Sequence, residues 1–496
     1  SPFRNPGKGP MTYDLLIIGG GINGCAIARE AALNGWSVLL VEKDDLASHT
    51  SSASTKLIHG GLRYLETYEF KLVHEALQER KRLLKAAPHL IHPTPFVLPH
   101  ENAVRPWWMV RAGLLLYDAL AGFGNLPRSR MIGRRDQSFR IPLKGRASGF
   151  VYWDCTVDDA RLTILNAVDA ASAGAEIRTR TTLMSASRDH RAWTAKLSDG
   201  KTVEARALVN ATGPWLVDVE GRLGQAQRNT LKLVKGSHIV LPGLYDGQHA
   251  YMLQQPDRRI VFAIPWIGGT TMVGTTEVEV PTPENPEISP AEADYLLKAA
   301  NAAFVRQHRH EDIAYSWAGV RPLFDDGAGD LRTTTRDYVL EVDGEGAPLL
   351  NVLGGKITTA RYLAEDAMTR LGKATARAVG QVTRDRPFPG GQLPLPFDAF
   401  VERCRALWPF LGAERTVRMV RAYGVALAAI MAGVDDEAAM GRDFGHGLTQ
   451  IEVDWLIDRE WAQTAEDILW RRSKLGLAFG TEVTAELAAY VKERVN

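Results

Sequence analysis

An apolar, β-branched run, Asp14-Leu-Leu-Ile-Ile18, passes directly into Gly19-Gly20-Gly21-Ile22-Asn23-Gly24. A helical stretch of small residues follows from Cys25 to Asn34, then Gly35, then a second apolar run from Ser37 to Val41 closed by Glu42. Strand, glycine turn, helix, strand and acid in that order make a βαβ dinucleotide-binding unit, a far narrower pattern than the glycines alone. Gly19 allows the tight turn, Gly21 lets backbone approach a pyrophosphate, and Gly24 lets helix and strand pack closely, while the helix N-terminus supplies partial positive charge. Glu42 follows Gly21 by 21 residues. A carboxylate there accepts both ribose hydroxyls and disfavours a 2′-phosphate, which argues against NADP.

The rest of the chain decides between FAD and NAD. An NAD domain continues with further parallel βα units, whereas here the sequence turns to Ser51-Ser-Ala-Ser-Thr55-Lys56-Leu-Ile-His59-Gly-Gly-Leu-Arg63-Tyr64. A second candidate nucleotide contact is Val209-Asn-Ala211-Thr212-Gly213, an apolar strand end followed by small residues. The third is Asn351-Val-Leu-Gly354-Gly355-Lys356-Ile357-Thr358, where a helix N-terminus is placed to face a flavin pyrimidine, on which charge accumulates in reduction. Each alone is an ordinary turn; the ordered set favours FAD.

Hydrophobic residues are 45% and charged residues 24% of the 496, which excludes a disordered or fibrous chain. Against 59 Lys+Arg stand 58 Asp+Glu, a formal net charge of +1 that disfavours a nucleic-acid-coating role. Cys25, Cys155 and Cys404 lie far apart, form no zinc or disulfide pattern and suit a reducing cytoplasm. Residues 1–10 are polar and turn-rich and are expected to be a leader or expression remnant. The uncharged run Ile260 to Thr276 is broken by Pro265, Gly268 and Gly269, so no spanning helix is expected.

Residues 69–87 carry the pattern of an amphipathic helix, and 178–210 alternate as strands with Asp199-Gly200 as a hairpin turn. More strands are expected over 231–280 and a helix around Ala291 to Ala303. Residues 386–396 form a Pro/Gly linker, beyond which helices are expected at Asp398 to Leu407, Thr416 to Met431, Thr449 to Thr464 and Glu482 to Val495.

GGGINGCAIA (19–28), TSSASTKLIHGGLRYLETYEF (50–70), KGSH (235–238), AGVRPL (318–323), TRDY (335–338), GGKITTAR (354–361) and DFGHGL (443–448) together resemble the FAD-dependent, quinone-linked (aerobic) glycerol-3-phosphate dehydrogenases. The resemblance runs from Tyr13 to the C-terminus and includes WRRSKLG (470–476) of the helical end. It implies an α/β fold: a doubly wound, Rossmann-like FAD-binding domain of glutathione-reductase type, an inserted antiparallel-sheet substrate domain and an all-α C-terminal domain. The expected boundaries are 11–60, 145–215 and 325–385 for the FAD domain, 61–144 and 216–324 for the substrate (cap) domain, and 386–496 for the helical domain.

The implied activity is oxidation of sn-glycerol 3-phosphate to dihydroxyacetone phosphate, with electrons passing through FAD to a quinone of the respiratory chain. By similarity, Arg63, Arg336 and Lys356 hold the phosphate, with Tyr64 and Thr275 as further substrate contacts. Arg321, His59 and His238 stand near the reacting carbon. The FAD contacts extend to Gly19, Gly21, Asn23, Gly24, Glu42, Lys43, Thr50, Ser51, Ser52, Ser54, Lys56, Ala211, Thr212, Gly213, Gly354, Gly355, Lys356, Ile357 and Thr358. No metal is expected. The residue types suit the chemistry in their own right. Guanidinium forks and an ammonium match a phosphate monoester, histidine accepts a hydroxyl proton near neutral pH, and which of His59 and His238 does so stays open.

Residues 105–135 carry six Arg and one acid, Asp118, interleaved with Trp107, Trp108, Leu114, Leu115, Leu116 and Tyr117. The composition fits an interfacial helix on anionic lipid, but taken alone it favours a helix packed on the body with snorkelling arginines. With a lipid-dissolved quinone as acceptor, peripheral attachment to the inner face of the cell membrane is the expectation, and a homodimer is open to the chain. Two other readings share the nucleotide motif: an FAD-dependent amine or amino-acid oxidase of the same fold, and a non-catalytic FAD-binding scaffold.

Overall fold

A computed structural model describes residues 11–101, 103–122, 126–145, 148–225, 230–324 and 338–495. Strand Met11–Ile18 lies at the centre of the first sheet, parallel to Thr202–Asn210 on one side and to Val38–Val41 on the other. Glu176–Arg178 extends the sheet beyond Val38–Val41, and Leu349–Leu353 extends it beyond Thr202–Asn210, both in parallel. Five parallel strands from three stretches of chain thus form the centre of an eight-stranded sheet, with Val339–Asp343 antiparallel beside Leu349–Leu353 at its edge. Leu15, Leu16, Ile17 and Leu40 are fully buried, the near-continuous apolar reading of a parallel sheet covered on both faces.

Helices Ile22–Leu33, Asp159–Ser172 and Ala360–Ala374 cover one face. The other face is closed by the hairpin strands Leu183–Arg188 and Trp193–Leu197 and by the short helix Leu216–Arg222, so the second layer is largely a β-meander. The Asp199-Gly200 turn forms as expected, Gly200 taking φ +79° while the Asp199 carboxylate accepts from the Lys201 N–H.

The second sheet is mainly antiparallel. Among the described residues its path runs Val278–Glu279, Leu231–Pro242, Thr270–Gly274, Ile260–Pro265, Ala250–Gln254, Ile91–Pro99, Gly149–Val157 and Leu57–Ile58. Tyr315–Phe324 pairs along Leu231–Pro242 over ten residues. Two strands expected in the nucleotide domain, Leu57–Ile58 and Gly149–Val157, pair here instead. An apolar strand reads the same in either sheet, so its partner is set by tertiary packing.

The helix expected over 69–87 is Phe70–Ala86, and that around Ala291 to Ala303 is Pro290–Ala303, opened by a Ser289/Glu292 capping box. In the C-terminal domain Phe397–Leu407, Gln450–Glu460 and Thr481–Val495 match the expected helices closely. The single helix expected over Thr416 to Met431 is divided into Ala413–Tyr423 and Leu427–Ile430. Gly424 breaks it at φ +54°, where a Cβ would lie 2.0 Å from the Gly390 carbonyl oxygen of the linker. This domain has its own core, including Met419, Val420, Leu456 and Ile468.

Charge pairs fasten the domain to the nucleotide domain. Asp45, three residues after Glu42, is held by Arg471 and Arg472 at 2.7 Å each, all three buried. Arg161 pairs with Glu460, and Arg180 reaches Asp467 at 2.7 Å. Removing one partner of such a buried pair would leave an uncompensated charge.

Candidate active site

The glycine turn is built as its spacing requires. Gly19 takes φ +112°, and a Cβ there would lie 2.4 Å from the Ala211 oxygen. A Cβ on Gly24 would lie 1.9 Å from the Gly19 oxygen, so strand and helix touch backbone to backbone. The Glu42 carboxylate accepts the Gly20 N–H at 2.7 Å and the Asp44 N–H at 2.9 Å, fixing the acid beside the turn. Burial raises its affinity for a proton, against which these two N–H donors act.

A cavity of about 450 Å3 opens on this turn. Its wall includes Gly19, Gly21, Asn23, Glu42, Lys43, Thr50 and Ser51, together with Ala211, Thr212 and Gly213 and with Gly354 and Gly355. The three sequence segments read as nucleotide contacts therefore meet around one cleft. Asn23 donates from Nδ2 to the Gly354 oxygen at 3.1 Å, while its buried Oδ1 has no partner among the described residues. The Ser51 hydroxyl accepts the Ile22 N–H at 2.9 Å. The cleft fits FAD: glycine backbone for the pyrophosphate, a carboxylate for the ribose, and an unmet polar atom at the third turn.

Other cofactor candidates lie behind this wall. Lys56 sends Nζ to Asp159 at 2.9 Å and to the Ser52 oxygen at 2.8 Å, and Ser54 donates to Asp159 at 2.7 Å. These side chains brace the loop from beneath rather than facing the cleft. Thr50 is tied to the Val320 oxygen at 2.6 Å. Ile357 and Thr358 form the turn leading into Ala360–Ala374, and the Thr358 hydroxyl accepts the His59 N–H at 3.3 Å.

A second cavity, about 130 Å3, adjoins the first. His59, Arg63, Tyr64, Thr275 and Arg321 all line it, bringing together five of the expected substrate and catalytic residues. Arg321 faces this cavity and its neighbour Pro322 faces the larger one, as alternation along a strand dictates. Lys356 stands next to it, with its buried Nζ 5.0 Å from the Tyr64 ring centre and no hydrogen-bond partner among the described residues. His238 sits one layer back, with Nε2 3.0 Å from the hydroxyl of Thr55, which lines the cavity. Its ring stacks on Trp317 and presses on Gly274, where a Cβ would come within 2.0 Å. Arg336 lies outside the described residues.

Sequence reasoning missed Glu277, Arg259 and Asp154, which also line the cavity. Glu277 lies 3.8 Å from Arg63 and 3.6 Å from Arg321. Asp154 is bound by Arg80 at 2.6 Å and by the Tyr117 hydroxyl, which also receives the Gly60 N–H at 2.9 Å. The one available signal was that Glu277 follows Thr275 by two residues, but pattern cannot show which way it faces.

Both candidate histidines are held neutral. Burial, then the charges of Lys356 and Arg80, pushes His59 down to about 3. Burial, then Lys56 and Arg321, pushes His238 down to about 3 against the opposing pull of Asp159. Each ring therefore offers a lone pair to a proton at neutral pH. A stability consequence follows for the fully enclosed rings His238 and His89, both pushed down to about 3. As pH falls below 6.5 the unfolded chain takes up these protons and the folded chain does not. Each pH unit then removes up to about 1.4 kcal/mol per ring, until the folded values are reached. The thermal midpoint is expected to fall steeply between pH 7 and about pH 4.5, and His89→Asn should flatten that slope. An unchanged slope in the variant would show that His89 does not contribute.

The comparisons with known proteins agree with this construction. Residues 14–361 match the family model described as FAD dependent oxidoreductase. A glycerol-3-phosphate dehydrogenase of Pseudomonas aeruginosa is 48% identical, the match covering 97% of this chain and 95% of the relative. A D-erythritol 1-phosphate dehydrogenase of Brucella abortus is 46% identical, covering 97% and 98%. Among solved structures, the glycerol-3-phosphate dehydrogenase from Bacillus halodurans complexed with FAD aligns with TM-score 0.72 at 24% identity, covering 98% of this chain and 94% of that one. The cofactor is FAD, and the fold is that of the FAD-binding oxidoreductases with a helical C-terminal region. With its nucleotide cleft and cationic second cavity carried on that fold, the chain belongs to the FAD-dependent oxidoreductase family and, within it, groups with the glycerol-3-phosphate dehydrogenases.

Proposed function

We propose that the protein oxidises sn-glycerol 3-phosphate to dihydroxyacetone phosphate and passes the electrons to a quinone in the membrane. The observation that carries this reading is the convergence of His59, Arg63, Tyr64, Thr275 and Arg321 on one small cavity against the nucleotide cleft. Bound FAD supplies the hydride acceptor. Arg63 and Lys356 offer a guanidinium fork and an ammonium to the phosphate, and Arg336 is assigned with them from the sequence. Arg321 places positive charge beside the carbinol and stabilises negative charge as it develops on oxygen. A neutral imidazole takes the hydroxyl proton: His59 from the cavity wall, or His238 through Thr55.

The test is reduction of a soluble electron acceptor, comparing sn-glycerol 3-phosphate, D-erythritol 1-phosphate and unphosphorylated glycerol, with dihydroxyacetone phosphate identified as the product of the first. Turnover of the three-carbon phosphate alone, or far ahead of the four-carbon one, supports the proposal. Preference for the erythritol phosphate would move the substrate up one carbon, and no phosphate-dependent turnover would reject the reading.

The membrane part rests on helix Trp107–Ala121. Among the described residues, no helix is long and apolar enough to cross a membrane. This one buries Val110, Leu114 and Tyr117 and exposes Trp108 (69%) and Leu115 (51%), with Met131 and Ile141 also outward. Exposed Arg128, Arg130, Arg134 and Arg135 flank it. An apolar outward face beside arginines suits the headgroup boundary of anionic lipid. On the inner face of the same helix Tyr117 bonds Asp154, which lines the substrate cavity, so the outward apolar face and the cavity lie on opposite sides of one helix. Trp108→Glu with Leu115→Glu should move the protein from anionic vesicles to the supernatant while leaving activity with a soluble acceptor intact. Unchanged partitioning would reject this face as the contact.

A further inference from the structure

The loop that carries His59 leaves its sheet early. Leu57–Ile58 pairs with Gly149–Val157 over two residues, Leu57 opposite Thr156 and Ile58 opposite Cys155. One more step of that ladder would set His59 opposite Asp154, but the chain turns away through Gly60 and Gly61, the latter at φ +76°. From there the N–H groups of His59 and Gly60 need partners outside the ladder, because a buried amide left unpaired is costly. His59 donates to the Thr358 hydroxyl at 3.3 Å, and Gly60 donates to the Tyr117 hydroxyl at 2.9 Å. The bond to Tyr117 is the shorter and firmer hold.

Tyr117 is a fixed point. It shares the inner face of Trp107–Ala121 with Val110 and Leu114, at helical spacing, and is only 2% exposed. Its hydroxyl donates between the two Asp154 oxygens, at 2.8 and 2.7 Å, and Asp154 is anchored in turn by Arg80 at 2.6 Å. Burial, then the Asp154 charge, keeps the phenol protonated, so it remains a donor to Asp154 while its oxygen accepts from Gly60. The fit is close: a Cβ on Gly60 would lie 2.8 Å from the Tyr117 oxygen and 2.6 Å from Leu77 Cγ. Arg63 depends on this contact less. It belongs to the turn Leu62–Thr67, which closes on its own bond from the Tyr64 N–H to the Gly61 oxygen at 2.9 Å.

We propose that Tyr117 is a positioning residue of the active site: by holding the Gly60 N–H, its hydroxyl sets where the His59 ring stands in the substrate cavity. The proposal rests on the polyol-phosphate oxidation read for the same site. His59 and Asp154 line the cavity, and Tyr117 stands behind them, acting through its neighbours. Without the hydroxyl the Gly60 amide turns to the Asp154 carboxylate, whose proton affinity it already lowers, and carries His59 with it. The cations that face the phosphate keep their places. A displacement of about an ångström between reacting groups costs on the order of a hundredfold in rate.

The experiment uses the FAD-loaded protein and follows anaerobic flavin reduction by sn-glycerol 3-phosphate in stopped flow, for Tyr117→Phe, His59→Asn and the double variant. Tyr117→Phe is expected to slow reduction by about tenfold or more, with the apparent dissociation constant within about threefold of wild type. The double variant should be no slower than His59→Asn alone, since the hydroxyl then has nothing left to position. Losses that multiply in the double variant would make Tyr117 a general support of the fold and overturn the proposal. A smaller loss in Tyr117→Phe, or a His59→Asn variant as fast as wild type, would overturn it as well. If the phenylalanine variant does not hold flavin, Asp154→Asn, which removes the charge that orients the hydroxyl, is read in the same cycle. Failure of the underlying reading looks different: glycerol 3-phosphate would then leave the wild-type flavin oxidised.

Discussion

Arg321→Ala is expected to slow anaerobic flavin reduction by glycerol 3-phosphate by about a thousandfold, the loss seen when a single positioned charge donor leaves a transition state. The residue lies on the strand between the two cavities, its guanidinium in the smaller one and next to Glu277. If the group acts where charge develops on the substrate oxygen, the loss falls on the rate of reduction and less on the apparent dissociation constant. Flavin content should be retained, since the cleft is walled by Pro322 rather than by Arg321. Stopped-flow spectroscopy separates the two quantities. A rate within tenfold of wild type would remove Arg321 from the catalytic role and leave it as one of the binding cations.

Gly24→Ala is expected to yield protein with less than about a tenth of its flavin. The added Cβ would fall 1.9 Å from the Gly19 carbonyl oxygen, and no rotamer change relieves a clash between two stretches of backbone. Helix Ile22–Leu33 must move off strand Met11–Ile18, and the turn that receives the pyrophosphate opens with it. The nucleotide sheet itself is buried and paired on both sides, so the polypeptide should still fold around its other contacts. The ratio of visible to ultraviolet absorbance after purification measures the outcome. Full flavin stoichiometry would show that the close approach at Gly24 is not what the cofactor depends on.

These two residues also mark what a sequence can and cannot carry. Gly24 is legible because only glycine tolerates a backbone contact of that kind, and its spacing from Gly19 and Glu42 repeats a geometry dictated by a pyrophosphate and a ribose. The same logic brought Ala211 to Gly213 and Gly354 to Gly355 to the cleft, where they stand. Arg321 carried no such signal in its own spacing; its neighbourhood, AGVRPL, did so through resemblance. Glu277 carried none. Its place in the cavity depends on the antiparallel pairing of Leu231–Pro242 with Thr270–Gly274, strands distant in sequence.

Segments that look alike locally were placed by tertiary packing. Leu57–Ile58 and Gly149–Val157 read as strands and are strands, but their partners lie in the second sheet. Lys56 reads as a cation for the cofactor, yet Asp159 lies beneath it and takes its ammonium. The long helix expected from Thr416 is stopped at Gly424 because the linker passes against it, a contact invisible to helical periodicity.

The most direct test of the account is an anaerobic visible spectrum of the FAD-loaded protein titrated with sn-glycerol 3-phosphate, with glycerol and a few amino acids as controls. The geometry of the cationic cavity predicts that the flavin band bleaches with glycerol 3-phosphate and stays unchanged with the controls. A band that ignores glycerol 3-phosphate and bleaches with an amino acid would contradict it.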